Sequence, residues 1–323
     1  MNPKKFVCLC GLFIFFLMIQ IPCYAEENVS FYSEKNILDF YNYDKTQPLN
    51  AIMDTVGEAA VNHVINVTFT SIHQERVPAK LWMPKWATED VKAPIIFWLH
   101  GYGGNKHIED AAFWGLSSLS CAFMALDAQY HGDRREPGRA MYSLDLVQDR
   151  YAIAQTVIDY RRAIDLISQL PNIDTTRIGI LGGSMGGIVG AMLAGVDSRI
   201  KVSVIIVGAG HWSEMLKLSD HFTAPALREY LHGHYSMIDR LLMPVDPITV
   251  IHRVNHLQMH HGTKDMTVPY SLAVELFEKA SEPKEFHSYE GHDHESIFKD
   301  FAATVVLVQR AVRWFKKYLL NSQ

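Results

Sequence analysis

The chain has 323 residues, of which 48% are hydrophobic and 20% are charged; these are ordinary proportions for a globular protein with a full core. Its length fits one large α/β domain or two domains of average size. The formal net charge of −5 gives no reason to expect a nucleic-acid partner, and the sixteen histidines are scattered along the chain, so composition alone indicates no metal site.

Residues 1–25 have the order of a signal peptide. Lys4 and Lys5 precede a nearly unbroken apolar run over 6–19, and Ala25 offers a small residue just before an acidic pair. This order predicts export and cleavage after Ala25, with a secreted or periplasmic mature protein. An uncleaved anchor is the alternative, but the apolar run is short for a membrane span, so we expect no stable membrane association.

Cysteine usage agrees with this interpretation. Cys8, Cys10 and Cys23 lie in the predicted signal peptide, and only Cys121 remains in the mature chain. Cys121 begins an apolar run and is expected to be a buried strand thiol. The mature protein would then have no intrachain disulfide, so its stability must come from its core.

The rest of the chain is divided into an N-terminal extension over 26–62 and a single domain over 63–323. Alternating apolar and polar residues over 64–71 and 77–83 predict an antiparallel pair of strands. Continuous apolar runs are typical of strands that are buried on both faces. They occupy 94–99, 121–126, 178–181, 202–207 and 257–260, with a weaker last strand at 285–289.

Helical periodicity falls between these strands. The longest stretch is 144–170, and the next clearest are 271–280 and 297–320. Strands that alternate with helices predict an α/β fold with a mostly parallel sheet covered on both faces. Residues 211–254 contain no good strand and are rich in aromatic residues. We interpret them as a small helical lid, called the lid segment below; a plain helical connection is the alternative.

The strongest chemical signal is Gly182-Gly-Ser184-Met-Gly186, between a predicted strand and a helical run. A G-x-S-x-G at a strand-to-helix turn is a nucleophile elbow, in which the glycines allow a tight turn that exposes the serine hydroxyl. The helix N-terminus beside it favours developing negative charge. A turn that only packs, or a phosphate loop, is the alternative, but phosphate loops usually carry a lysine after the glycines.

A second glycine-rich turn, His100-Gly-Tyr-Gly-Gly104, follows the predicted strand 94–99. Such a turn leaves backbone N–H groups free, and we assign the N–H groups of Tyr102 and Met185 to an oxyanion hole. His100 is expected to support the loop rather than take part in chemistry. An ordinary turn between a strand and a helix is the alternative.

An acid and a histidine follow later in the chain. Asp265 lies in a loop after the strand 257–260 and is placed to orient a histidine, although an aspartate that caps a turn is the common alternative. His294 stands before the final predicted helix and is the expected base, with His292 as the alternative. A metal site at 292–294 lacks a second cluster of ligands.

Taken together, these motifs resemble the α/β-hydrolase superfamily, in its branch of dienelactone-hydrolase-like and acetyl-esterase-like serine hydrolases. The resemblance covers residues 64–320. It rests on four motifs in chain order: His100–Gly104, Gly182–Gly186, Gly262–Pro269 and Gly291–His294. The superfamily's usual Gly-x-x-His spacing favours His294 over His292. Dienelactone hydrolase itself uses a cysteine, and the serine in this chain argues against that reaction.

The resemblance implies hydrolysis of a small-molecule carboxylic ester by Ser184, Asp265 and His294 through an acyl-enzyme, without metal or organic cofactor. Aromatic residues of the lid segment, Trp212 and Phe222 among them, are expected to line a partly apolar pocket. A thioesterase or a peptidase with the same three residues is an alternative, as is an inactive α/β-hydrolase that serves as a binding protein.

Overall fold

The computed structural model describes residues 34–107 and 116–321. The predicted signal peptide lies outside the described residues, and its cleavage stays a prediction. No helix in the described part of the chain combines the length and the apolar character needed to cross a membrane.

Nine strands of the described residues form one sheet. In chain order they are β1 Ile52–Glu58, β2 Asn62–Thr70, β3 Arg76–Pro84, β4 Ala93–Leu99, β5 Ala122–Leu126, β6 Ile173–Gly183, β7 Ile200–Ile206, β8 Leu257–Gly262 and β9 Lys284–Tyr289. Their spatial order is β1-β2-β3-β5-β4-β6-β7-β8-β9. The first four strands in space pair antiparallel, and all pairings from β5 to β9 are parallel. This is the mostly parallel sheet that the sequence predicts.

Burial explains why the central strands were recognisable. Every residue of β5 is buried, and so is every residue of β8. When helices cover both faces of a parallel strand, the side chains on both faces are buried. The sequence of such a strand is therefore a continuous apolar run and not an alternation of apolar and polar residues. The predicted antiparallel pair is also confirmed, because β2 and β3 pair in register, with Val67 opposite Ala79.

Nine α-helices of the described residues accompany the sheet: α1 Glu34–Phe40, α2 Leu146–Ile167, α3 Met185–Val196, α4 Trp212–Leu218, α5 Ala224–Leu231, α6 Ser236–Leu242, α7 Tyr270–Lys279, α8 Ser296–Lys299 and α9 Phe301–Phe315. Two hydrophobic clusters show that both faces of the sheet are covered. One contains the buried residues of α2, α3 and α7, and the other contains those of α9.

Capping residues explain where the structure departs from the predicted helices. Asp145 caps α2 by accepting from the backbone N–H groups of Val147 and Gln148 at 3.1 and 3.0 Å. The single helix expected over 297–320 is wrong: Asp300 has an extended backbone that separates α8 from α9, and its carboxylate accepts from Ala303 N at 2.9 Å. Aspartate is a favoured N-cap residue, so the start of a new helix at an aspartate competes well with continuation of the preceding helix through it.

The structure places part of the N-terminal extension in the sheet. Residues 52–58 are the edge strand β1, although almost all of them are exposed. Tyr41 is fully buried, and its hydroxyl donates to Pro244 O, in the lid segment, at 2.9 Å. Because β1 belongs to the sheet, the sheet begins at Ile52, eleven residues before the boundary expected at residue 63.

Candidate active site

The nucleophile elbow lies between β6 and α3. Ser184 has φ 55° and ψ −121°, a left-handed conformation that non-glycine residues rarely adopt. The turn is held by two backbone hydrogen bonds: Ser184 N donates to Ile206 O at 2.9 Å, and Ser184 O accepts from Ile188 N at 3.0 Å. Strain of this kind persists only where the surroundings enforce it, and it is frequent at functional sites.

Close backbone approaches explain the flanking glycines. A Cβ at Gly182 would lie 2.2 Å from Gly186 O, and one at Gly186 would lie 2.0 Å from Leu99 O. Both distances are impossible for a side chain, so the motif needs glycine at these two positions. The result is that the first turn of α3 packs directly against the end of β4.

Three side chains form a continuous chain of hydrogen bonds at this point. Ser184 Oγ lies 2.8 Å from His294 Nε2, and His294 Nδ1 lies 2.7 Å from Asp265 Oδ2. The carboxylate can only accept, so Nδ1 carries the proton and Nε2 is free to accept from the serine hydroxyl. This is the arrangement in which a histidine can remove a proton from a serine.

Asp265 lies in the loop between β8 and α7 and is almost completely buried. Its Oδ1 accepts from Val268 N at 2.9 Å. Burial alone would raise the pKa of Asp265, but hydrogen bonds from His261 and His294 outweigh it and hold the pKa below its ordinary value. The carboxylate is therefore charged at neutral pH and can stabilise a protonated His294.

The structure brings His294, and not His292, to the serine. Nδ1 of His292 lies 3.1 Å from Glu290 O, and its Nε2 lies 3.6 Å from Asp300 Oδ2. The backbone oxygen of His292 accepts from Lys264 N at 2.9 Å. His292 therefore connects the loop that carries His294 to the loop that carries Asp265.

The turn after β4 lies against the serine. A Cβ at Gly101 would lie 3.6 Å from Ser184 Cβ. His100 Nδ1 and Gly104 N both lie within hydrogen-bond distance of Gly101 O, at 2.8 and 3.0 Å. The C=O and N–H of a trans peptide point in opposite directions, so these bonds also fix the direction of the N–H of Tyr102.

The protonation state of His100 is determined by its partners. Its Nε2 accepts from Ala128 N at 3.1 Å, so Nδ1 carries the proton that is donated to Gly101 O. Burial lowers the pKa of His100 to about 4, although the bond to Gly101 opposes this shift. His100 is thus a neutral support of the loop. Met185 is the first residue of α3, and its N–H has no acceptor within that helix.

A cavity of about 580 Å³ opens beside Ser184 and His294. Trp212 and Phe222, the two predicted pocket residues, both line it. They differ in burial: Trp212 is 8% exposed and donates from Nε1 to Val245 O at 3.1 Å, whereas Phe222 is 65% exposed. Much of the remaining wall is apolar and comes from Leu146, Ile153, Ile188, Met215, Leu216, Leu227 and Leu242.

Several lining residues were not found from the sequence. The side chain of Tyr102 also lines the cavity and stacks on Tyr142, with ring centroids 5.6 Å apart and planes at 14°. His221 lies against Phe222 at 4.2 Å between ring centroids. Tyr142 precedes α2 and His221 follows α4, so no short motif joins them to Ser184.

Asp149 is a buried acid in the cavity wall. Its Oδ2 accepts from Ser143 N at 3.0 Å and its Oδ1 accepts from Ser143 Oγ at 2.7 Å, and no lysine or arginine of the described residues forms an ion pair with it. Burial raises the pKa of Asp149 to about 7, although the bonds from Ser143 oppose the shift. Its position in the first turn of α2 gave no sign that it would face a pocket.

The sequence profile of the acetyl xylan esterase (AXE1) family matches residues 24–311. The chain belongs to this family. The esterase is also 25% identical over 249 residues to the putative hydrolase YtaP of Bacillus subtilis (strain 168), an alignment that covers 70% of the esterase and 82% of that protein.

Solved structures show the same fold. The acetyl xylan esterase from Paenibacillus sp. R4 has a TM-score of 0.72 at 20% identity, covering 86% of the esterase and 92% of that chain. Acetyl xylan esterase 1 from Thermoanaerobacterium sp. JW/SL YS485 has a TM-score of 0.71 at 17% identity, with coverages of 87% and 92%. A Pyrococcus horikoshii acylaminoacyl peptidase has a TM-score of 0.67 at 15% identity, but only 43% of its chain is covered, against 82% of the esterase.

Family membership establishes that this protein is a serine ester hydrolase of the carboxylesterase type, with an α/β-hydrolase fold. The matched region includes Ser184, Asp265 and His294.

The different burial of the two predicted pocket residues leads to a first prediction. Phe222→Ala should change the ratio of kcat/KM between octanoate and acetate p-nitrophenyl esters with little change in Tm, because the ring is mostly exposed. Trp212→Ala should lower stability by about 3–5 kcal/mol, the usual cost of removing a large buried aromatic side chain. If Phe222→Ala lowered kcat/KM equally for all esters, this ring would not shape the pocket.

A second prediction concerns Asp149. Its pKa is about 7 in the folded protein and about 3.9 when unfolded. The folded state therefore binds more protons between these values, and stability falls as pH rises from about 4 to about 7. Asp149→Asn removes this pH-dependent loss of stability, and the amide still offers hydrogen-bond partners to Ser143. Each pKa unit corresponds to about 1.4 kcal/mol, so the gain in unfolding free energy should be about 2–3 kcal/mol larger at pH 8 than at pH 5.

Denaturant unfolding of both proteins at the two pH values measures this difference. Asp145→Asn, at the exposed cap of the same helix, is the control and should give a much smaller pH-dependent gain, because it removes only the minor effect of the Asp145 charge on the pKa of Asp149. A gain from Asp149→Asn that is equal at both pH values would contradict the assignment.

Proposed function

We propose that the esterase cleaves its substrates through an acyl-enzyme formed on Ser184, with His294 as the base and Asp265 as the residue that orients it. The observation that carries this proposal is the pair of hydrogen bonds at 2.8 and 2.7 Å that connects Ser184 Oγ, the His294 ring and Asp265 Oδ2. The inactive binding protein considered above would have no need of this arrangement.

The reaction has two similar halves. His294 Nε2 takes the hydroxyl proton as Ser184 Oγ attacks the ester carbonyl carbon, and a tetrahedral intermediate forms. The C–O bond to the alcohol breaks, and the alcohol leaves with the proton from His294. Water then attacks the acyl carbon and gives a proton to His294. The bond between that carbon and Ser184 Oγ breaks, and His294 returns the proton to Oγ, which releases the acid and the free serine.

The backbone N–H groups of Tyr102 and Met185 are the proposed donors to the oxyanion. Met185 offers an N–H at the start of α3, where the helix dipole also favours negative charge. The N–H of Tyr102 belongs to the peptide whose oxygen is held by His100 and Gly104. Donors fixed before the reaction cost no reorganisation as the charge develops.

We further propose that the substrates are small esters with a short or medium acyl chain, with acetyl esters as the first to test. The name of the family supports acetyl esters. The cavity of about 580 Å³ also leaves room for part of the alcohol or for a longer chain. All the proton transfers are provided by side chains, so none of these steps uses a metal or an organic cofactor.

Export to the periplasm or the medium is part of the proposal, and it rests on the sequence of residues 1–25. N-terminal sequencing of the protein from its native host should begin at Glu26. A mature protein that retains Met1 would refute cleavage.

The roles of the three residues predict a ranking of defects. Ser184→Ala should lower kcat on p-nitrophenyl acetate on the order of a million-fold, and His294→Ala nearly as much, because serine is a poor nucleophile without its base. Asp265→Asn should cost less, on the order of ten-thousand-fold, through loss of the correct histidine tautomer. Labelling by a fluorophosphonate should disappear in Ser184→Ala.

His292→Ala is the matched control for His294→Ala, and its effect should be mild. If His292→Ala abolished hydrolysis while His294→Ala did not, the base would be misassigned. Full esterase activity in folded Ser184→Ala would refute the central proposal.

A further inference from the structure

A second histidine contacts the carboxylate of Asp265. His261 is on β8 and its side chain is completely buried. Its Nε2 lies 2.8 Å from Val268 O and 3.3 Å from Asp265 Oδ2. Its Nδ1 has no hydrogen-bond partner within the described ranges.

The partners of His261 determine where its proton is. A backbone carbonyl and a carboxylate can both only accept, so Nε2 must carry a hydrogen. The ring then donates from Nε2 to both oxygens, in a three-centre bond whose longer branch reaches Asp265. Nδ1 takes no part in these contacts.

Asp265 therefore receives three donors. Val268 N donates to Oδ1, and both His294 Nδ1 and His261 Nε2 donate to Oδ2. Resting on the proposed function of Ser184, we propose that His261 is a positioning residue for catalysis: it fixes the orientation of the carboxylate that holds His294.

Two physical effects follow from this contact. His261 connects the end of β8 to both Asp265 and Val268, so the intervening loop is held at three points and the carboxylate cannot turn away from His294. A further donor on Oδ2 also lowers the affinity of Asp265 for protons. The proton between the two residues then stays on His294 Nδ1, and Nε2 stays free for the serine.

The chain offers a matched control in the neighbouring residue. His260 is also completely buried, but successive side chains of a strand point to opposite faces. Its ring lies 2.9 Å from Tyr289 Oη and 2.9 Å from Gln258 Oε1. Replacing either histidine removes a buried, hydrogen-bonded imidazole, but only His261 is held to the carboxylate of Asp265.

The experiment compares His261→Leu, His261→Gln and His260→Leu with the wild-type protein. It measures kcat and KM on p-nitrophenyl acetate from pH 5 to 9, and Tm. His261→Leu should lower kcat by about 10- to 1,000-fold, less than loss of the Asp265 charge, with KM changed less than threefold. The acid limb of kcat/KM should move to higher pH, because Asp265 then binds protons more tightly.

His261→Gln, whose amide nitrogen can donate from a similar position, should recover most of kcat and of the pH profile. His260→Leu should lower Tm but leave kcat within about threefold and the acid limb in place. A folded His261→Leu with wild-type kcat and pH profile would overturn the proposal, as would equal losses in His260→Leu. If His261→Leu does not fold, His261→Asn, whose shorter amide does not reach Asp265, replaces it.

Ser184→Ala, measured in parallel, separates this proposal from the proposed function. Inactive Ser184→Ala together with wild-type behaviour of His261→Leu would refute only the role of His261. Active Ser184→Ala would refute the acyl-enzyme itself, whatever the His261 variants do.

Discussion

The close contact between the start of helix α3 and the end of strand β4 controls the geometry of the whole site. Gly186 lies so near Leu99 O that no side chain fits between them, and Gly182 lies equally near Gly186 O. Between these two glycines Ser184 adopts its left-handed conformation, and its hydroxyl lies 2.8 Å from His294 Nε2. The same approach brings Gly101 against Ser184, so one packing constraint sets the nucleophile, the start of α3 and the adjoining turn together.

Around this contact, buried imidazoles act as fixed hydrogen-bonding groups. His100 bridges Gly101 O and Ala128 N across two loops, and His261 bridges Asp265 and Val268 across a third. In His100 one nitrogen donates and the other accepts, so a single rigid ring joins two backbone segments, whereas His261 makes both of its contacts from Nε2. Burial keeps the charged form of His100 unfavourable, so it behaves as a part of the framework.

Much of this arrangement could be predicted because parallel strands end at one edge of the sheet. The glycine pattern around Ser184 and the loop positions of Asp265 and His294 follow directly from that rule. Strand β1 was not predicted because its exposed residues leave no apolar pattern. The break at Asp300 was missed because α8 and α9 share one apolar periodicity, and only the capping carboxylate separates them. Tyr142, Asp149 and His221 meet in the cavity only through tertiary packing, which no local spacing records.

The presence of Asp149 in the cavity wall has a consequence for how the pocket treats its contents. With a pKa of about 7, the carboxyl is largely neutral in mildly acidic solution and largely ionised in mildly alkaline solution. The polarity of the cavity wall therefore depends on the pH of the surrounding solution. An apolar chain would partition into it more readily on the acid side, whereas removal of a proton from a serine by a histidine is favoured on the alkaline side. A lower pH thus favours binding of an apolar group but disfavours proton removal from the serine, and the balance between the two effects depends on how apolar the bound group is.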